Sequence, residues 1–188
     1  MRTATLILAF FLAGCGDGGS ILPRRPVVEA DTRAAFVLDQ SKPFVVELGR
    51  GSGWHGLNIV RVDQTGAVQL SRMAGGQGVE EASVQLSKAD LTTLVALVNG
   101  NQLTRMGRSY TDPDVADGTQ WVLWIEQGTA EKSIYFNNAF PDQINAFSNG
   151  LDSLLQNAGS KTATWTVMPK ERAAGQQMKL WSRIEPGK

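Results

Sequence analysis

The chain has 188 residues, 42% of them apolar, with 18 basic and 18 acidic side chains. That length and apolar content suit one packed domain with at most a small appendage, and the balanced charge excludes a general pull toward nucleic acid or acidic partners. A single cysteine and a single histidine exclude an internal disulfide and a multi-histidine metal site.

Arg2 starts the chain with a positive charge, and Leu6 to Leu12 is an unbroken apolar run. A bilayer span needs about 20 such residues, so this run reads as the core of a secretory signal. It closes on Leu12-Ala13-Gly14-Cys15, which resembles the bacterial lipobox. The resemblance implies that residues 1–14 are a signal peptide and that Cys15 carries the lipid. With two or more acyl chains such an anchor is durable. It also uses the lone cysteine, leaving no thiolate for catalysis or metal binding. The next residue is Gly16, not Asp. By similarity to enteric sorting rules, that points to the periplasmic face of an outer membrane in a host that has one.

Residues 15–33 read as a flexible tether, because the Gly16–Ser20 run and Pro23-Arg24-Arg25-Pro26 offer little apolar surface to bury. The folded body is expected from Ala34 to Gly159. Phe44–Leu48 and Leu57–Val62 read as strands from β-branched content and alternation. Asp63-Gln64-Thr65-Gly66 is a turn, and Ala67–Ser71 returns as a third strand. Gly75–Gly78 breaks the pattern, and Val79–Leu86 adds a short irregular strand. Ser87 and Asp90 resemble a capping box. Leu91, Leu94, Val95 and Val98 behind them form one helical stripe, and Asn99-Gly100 ends it. Leu103 and Met106 are expected at the core edge.

Tyr110–Thr119 is an Asp-rich loop. Gln120–Gln127 places Trp121, Leu123 and Ile125 on one face and Val122 and Trp124 on the other, so it reads as a central strand. Lys132–Phe136 returns after Gly128. Pro141 suits a first helical turn, and Ile144, Phe147, Leu151, Leu154 and Leu155 form the buried stripe of that helix. Gly150 within it costs about 1 kcal/mol against alanine and marks an expected kink. Residues 160–188 read as a C-terminal extension of added strands, Thr162–Met168 and Met178–Ile184. The expected fold class is α+β: an antiparallel sheet of about five to seven strands with two helices packed on one face.

Gly51-Ser52-Gly53-Trp54-His55-Gly56 matches a glycine-rich nucleotide motif literally. That motif must open a helix so that phosphate meets its N-terminus, and here a strand follows. The simpler reading is a hairpin loop, with Trp54 and His55 as the candidate partner-contact residues. Asp112 to Gly118 hints at a calcium loop but is one residue too long for an EF-hand and lacks the bidentate glutamate. Glu47 and Glu126 lie on strands and make a conceivable carboxylate pair. No nucleophile elbow is present. Trp121 and Trp124 read as core. Trp165 and Trp181, if exposed together, would form an apolar interface.

The run Asp117–Ile125, then Gly128, then Lys132–Phe136, then Pro141 looks like that of small uncharacterised bacterial lipoprotein domains. The order of elements from Phe44 to Leu155 is also similar to emfourin-type inhibitors of thermolysin-like metalloproteases. The lipobox, the tether and the extension after Gly159 depart from the latter, and none of its inhibitory residues is carried over. The resulting expectation is an envelope lipoprotein with a non-catalytic binding domain. It needs no cofactor and no metal, and its partners are a membrane and a protein, not nucleic acid. A structural envelope role and, further off, a hydrolase are the alternatives.

Overall fold

A computed structural model describes residues 25–52, 55–75, 78–115 and 118–184. Cys15, the signal-like run and Trp54 lie outside the described residues. The elements in order are β1 (Val27–Glu29), β2 (Phe44–Ser52), β3 (Gly56–Asp63), β4 (Ala67–Met73), β5 (Val79–Gln85), α1 (Lys88–Gly100), β6 (Ser109–Thr111), β7 (Gln120–Gln127), β8 (Ala130–Asn137), α2 (Asp142–Asn157), β9 (Thr166–Val167) and α3 (Lys170–Ser182). The fold is α+β. The sheet has nine strands in the order β1-β6-β8-β7-β2-β3-β4-β5-β9. It is mixed rather than antiparallel, because β6 pairs β8 in parallel. The strands beyond the expected number are β1 and β6, each of three residues. Such pieces are too short to imprint a period on sequence.

The sheet is apolar on both faces. Side chains alternate along a strand, so β2 sends Phe44, Val46 and Leu48 to one face. There they join Val60, Val62, Leu123, Ile125, Ile134 and Phe136 in the larger cluster. From α1, Leu91, Leu94 and Val98 enter the same cluster, as do Ile144, Phe147, Leu151, Leu154 and Leu155 from α2. The opposite face carries Leu57, Ile59, Val122 and Trp124, and α3 contributes Leu180 to them.

Local chemistry sets the joints. At the α1 start the Asp90 N–H donates to Ser87 Oγ at 3.1 Å, and the Ser87 hydroxyl donates to Asp90 Oδ2 at 2.6 Å. This is the capping arrangement that satisfies a free helical N–H. In the β3–β4 turn, Asp63 Oδ1 accepts from the Thr65 N–H at 2.8 Å. Arg50 of β2 grips Asp152 of α2 through two 2.7 Å bonds. α2 runs as one helix from Asp142 to Asn157, through Gly150. Gly150 makes room for a side chain of α1: a Cβ there would lie 2.6 Å from Leu97 Cδ1.

Two sequence expectations are corrected at the chain ends. Met178–Ile184 is not a strand, for Met178 to Ser182 belong to α3, and of the added strands only Thr166–Val167 forms, against β5. The ordered body also starts before Ala34, since β1 pairs β6. Asp31 behind it is buried against Lys132 of β8 at 2.8 Å, their side chains 7% and 3% exposed. Lys132 Nζ also donates to the Met106 carbonyl, and Arg33 donates to Asp31 at 2.9 Å. This charge pair closes a segment read from sequence as tether.

Burial raises the Asp31 carboxyl, but the bonds from Arg33 and Lys132 outweigh it and hold Asp31 well below the usual carboxylate range. Burial pushes the Lys132 ammonium down, opposed by its bond to Asp31.

Two predictions follow from the packing and from this pair. Gly175 in α3 has open space around its missing Cβ, so Gly175→Ala should stabilise by up to about 1 kcal/mol, whereas Gly150→Val should cost about 1–3 kcal/mol through overpacking. Urea unfolding compares them, and equal midpoints would contradict the helix contact. Asp31 has a lower pKa folded than unfolded, so its stabilisation is full above the ordinary carboxylate range and fades as pH falls below it. The stability gap between wild type and Asp31→Asn should hold steady from about pH 7 to 5 and narrow below about pH 4. A gap independent of pH would refute the assignment.

Candidate functional site: the polar face beside the third helix

The face covered by α3 is where polar side chains gather. Sheet register sets one row across it: Trp124 opposite Glu47, Glu47 opposite Arg61, Arg61 opposite Gln69, and Gln69 opposite Ser83. A parallel row runs Val122, Gly49, Ile59, Ser71 and Glu81 to Thr166. Because these residues share one face, chemistry from six strands lies together although the sequence scatters it.

Gly49 is the seat for α3. A Cβ at this position would fall 2.5 Å from Leu180 Cδ2, so glycine is what lets Leu180 reach the sheet. One turn earlier, Gln177 clamps the backbone of β3: the Leu57 N–H donates to its Oε1 at 2.9 Å, and its Nε2 donates to the Leu57 carbonyl at 2.8 Å. The side-chain amide stands in for a neighbouring strand. At the helix end, Arg183 Nη1 donates to Glu47 Oε2 at 2.8 Å, and Arg61 Nη1 donates to the same oxygen at 2.9 Å. The Arg183 guanidinium also lies 3.3 Å from the centroid of the Trp124 ring, a cation–π contact. Tyr135 meets Trp181 edge-on at 6.2 Å, and burial raises its hydroxyl pKa, with a hydrogen bond involving Gln120 pulling the other way.

Beside the first two turns of α3 the face opens into a groove of about 580 Å³, which Gln69, Glu81, Ser83, Thr164, Arg172 and Gln176 help to line. Arg172 is ion-paired with Glu81. Two oxygens on this side are buried with no hydrogen-bond partner, Ser71 Oγ and Gln176 Oε1. Hydrogen-bonding groups therefore outnumber their internal partners here, as in a site that binds polar matter.

Of the residues singled out from sequence, Glu47, Trp124 and Trp181 lie on this face, though not in the roles expected, and the others fall elsewhere. His55 is exposed where the chain enters β3, its backbone N–H donating to Ser52 Oγ at 3.2 Å. The glycine-rich segment joins β2 to β3, and Gly51 is needed because a Cβ there would lie 2.1 Å from the Gly56 carbonyl oxygen. Glu47 and Glu126 do not make an acid–base pair: Glu47 is held by two arginines, and Glu126 stands opposite Val45 and Glu131. In the Asp-rich segment Asp112 Oδ1 accepts from the Asp114 N–H at 3.0 Å, a turn contact. Among the described residues no group of three or more histidines, cysteines or carboxylates could hold a metal ion. Trp124 is core, 5% exposed. Trp165 and Trp181 do not share a patch: Trp165 packs against the larger cluster under Arg72, and Trp181 packs on the opposite face.

Sequence reasoning missed Arg61, Arg172, Gln176, Gln177 and Arg183. The one available signal was a period: Ala173, Gln177, Leu180, Trp181 and Ile184 fall on one helical stripe, interrupted by a polar glutamine. No family model matches the chain, and no curated protein matches it.

Glu47→Ala strands two guanidiniums beside a buried indole and should cost about 3 kcal/mol, in the range for breaking a buried pair. Glu47→Ala with Arg183→Leu should cost less than the sum of the two single changes. Additive losses in a double-mutant cycle would show that the pair does not hold α3.

Proposed function

We propose that this chain is a lipid-anchored protein of the bacterial cell envelope whose domain binds a protein partner without chemically altering it. The observation that carries the reading is how the charged groups of the polar face are spent. Glu47 is neutralised by Arg61 and Arg183, and Glu81 by Arg172. A general acid or base must be free to exchange a proton with substrate, and these carboxylates are engaged in ion pairs. The single histidine is exposed in the turn that leads into β3. The groove, in contrast, offers amides, hydroxyls and an unpaired buried acceptor, groups that recognise a partner by hydrogen bonding.

The anchor half of the reading rests on the Leu12–Cys15 motif. No described helix is long and apolar enough to cross a membrane. The resemblance in element order to inhibitors of thermolysin-like metalloproteases makes a secreted protease the first partner to try.

Fractionation separates the claims. Wild-type protein should sediment with envelope membranes and Cys15→Ser should be released, and a Cys15→Ser protein that still sediments would remove the anchor. A photo-cross-linking residue at Thr164 should give a discrete protein adduct in the envelope, while one at exposed Lys88 should not. Steady turnover of a model ester, glycoside or peptide by the purified protein would overturn the non-catalytic half.

A further inference from the structure

The ladder geometry of β5 decides which of its backbone groups face out. The Leu86 N–H donates to the Gly66 carbonyl at 2.9 Å, and the Ala74 N–H donates to the Gly78 carbonyl at 2.8 Å. Between those bonds the register pairs Val68 with Val84, Leu70 with Ala82, and Arg72 with Glu80. In an antiparallel ladder bonded and non-bonded pairs alternate, so the even-numbered residues of β5 bond to β4. Val79, Glu81, Ser83 and Gln85 then point N–H and C=O away from β4.

β9 takes the first two of these positions. The Met168 N–H donates to the Val79 carbonyl at 2.8 Å, and Thr166 lies opposite Glu81. The next rung would join Ser83 to Thr164, but pairing stops at Thr166, and no other described strand pairs with β5 on that side. Ser83 and Thr164 instead help to line the 580 Å³ groove. Gln176, with its buried Oε1 unpartnered, lines the same groove.

From this we infer that the groove is a strand-addition site: an uncharged, extended peptide segment of another protein lies along β5, bonds to the backbone of Ser83 and Gln85, and donates an amide hydrogen to Gln176 Oε1. An open edge row beside a groove is the arrangement by which sheets take up a peptide strand. The peptide is uncharged because the groove's two charged groups, Glu81 and Arg172, already neutralise each other. The inference builds on the binding-module reading above and adds the class of ligand and its mode.

The test uses an array of uncharged acetylated hexapeptides against the described domain within the full soluble Cys15→Ser chain. Bound hexapeptides should shift the amide resonances of Ser83 and Gln85. Ser83→Pro should abolish binding, since it deletes an outward N–H yet removes no bond to β4. Gln176→Leu should weaken binding about fivefold, the loss of one hydrogen bond, and N-methylation of alternate peptide amides should abolish it. Unchanged thermal unfolding of Gln176→Leu and Ser83→Pro excludes misfolding as the cause. Hexapeptides that bind equally well to Ser83→Pro, or an array with no binder, overturn the strand-addition site. In either case a Thr164 adduct in the envelope would leave the binding-module reading standing. Self-association through β5 that Ser83→Pro abolishes would assign the edge to a second copy and overturn a foreign peptide.

Discussion

The structure depends on the need to cover a sheet that is apolar on both sides. β7 alone carries Leu123 and Ile125 on one face and Val122 and Trp124 on the other, all buried. Helices α1 and α2 supply apolar partners to the first set, and without α3 the second would meet water at roughly 25 cal/mol for each Å² of apolar area. α3 is built mainly of good helix formers apart from Gly175, but most of its side chains are polar and exposed, so propensity alone does not seat it on the sheet. Its place is therefore set by tertiary contacts: Leu180 on Gly49, Gln177 on Leu57, and Arg183 between Glu47 and Trp124. The polar groove exists because α3, coming in from the sheet edge, covers only part of that face.

Local signals were readable where one segment settles its own conformation. The Ser87 cap and the Leu91, Leu94, Val98 stripe define α1, and Asp63–Gly66 defines its turn, because each acts within a few residues. The two-faced β7 was readable as central for the same reason. α3 was not, since its buried stripe includes Gln177, whose amide faces the sheet only because Leu57 has a free backbone edge there. A period-two reading of Met178 to Ile184 then competes on equal terms. Asp31 was assigned to a tether because its partner lies 101 residues away, and no local pattern encodes that pairing. The site suffers most from this limit. Its residues come from six strands and a helix, and only sheet register brings the strand residues side by side.

Three side-chain amides share a device. Asn99 brackets the backbone of Leu38, Gln127 that of Asp39, and Gln177 that of Leu57, each giving one bond and taking one. An amide presents a donor and an acceptor side by side, as a strand's edge does. The fold thus closes several backbone rungs with side chains where no strand is at hand. The edge of β5 at Ser83 and Gln85 lacks such a clamp on its outward side, although Gln85 itself donates to the Thr65 and Leu86 carbonyls. The contrast sets that edge apart from the backbone at Leu38, Asp39 and Leu57.

The placement of the chain's first strand also governs the order of assembly. β1 closes on β6, and Asp31 closes on Lys132, while the central β2 needs both β3 and β7. A polypeptide made from its N-terminus must therefore be extended to β6 before β1 has a strand to grip, and to Lys132 before Asp31 meets its ammonium. Loop closure over that span is slow compared with the β3–β4 hairpin. A nascent chain would hold residues 27–31 as loose thread until β6 and β8 had followed, so this join waits on chain made much later.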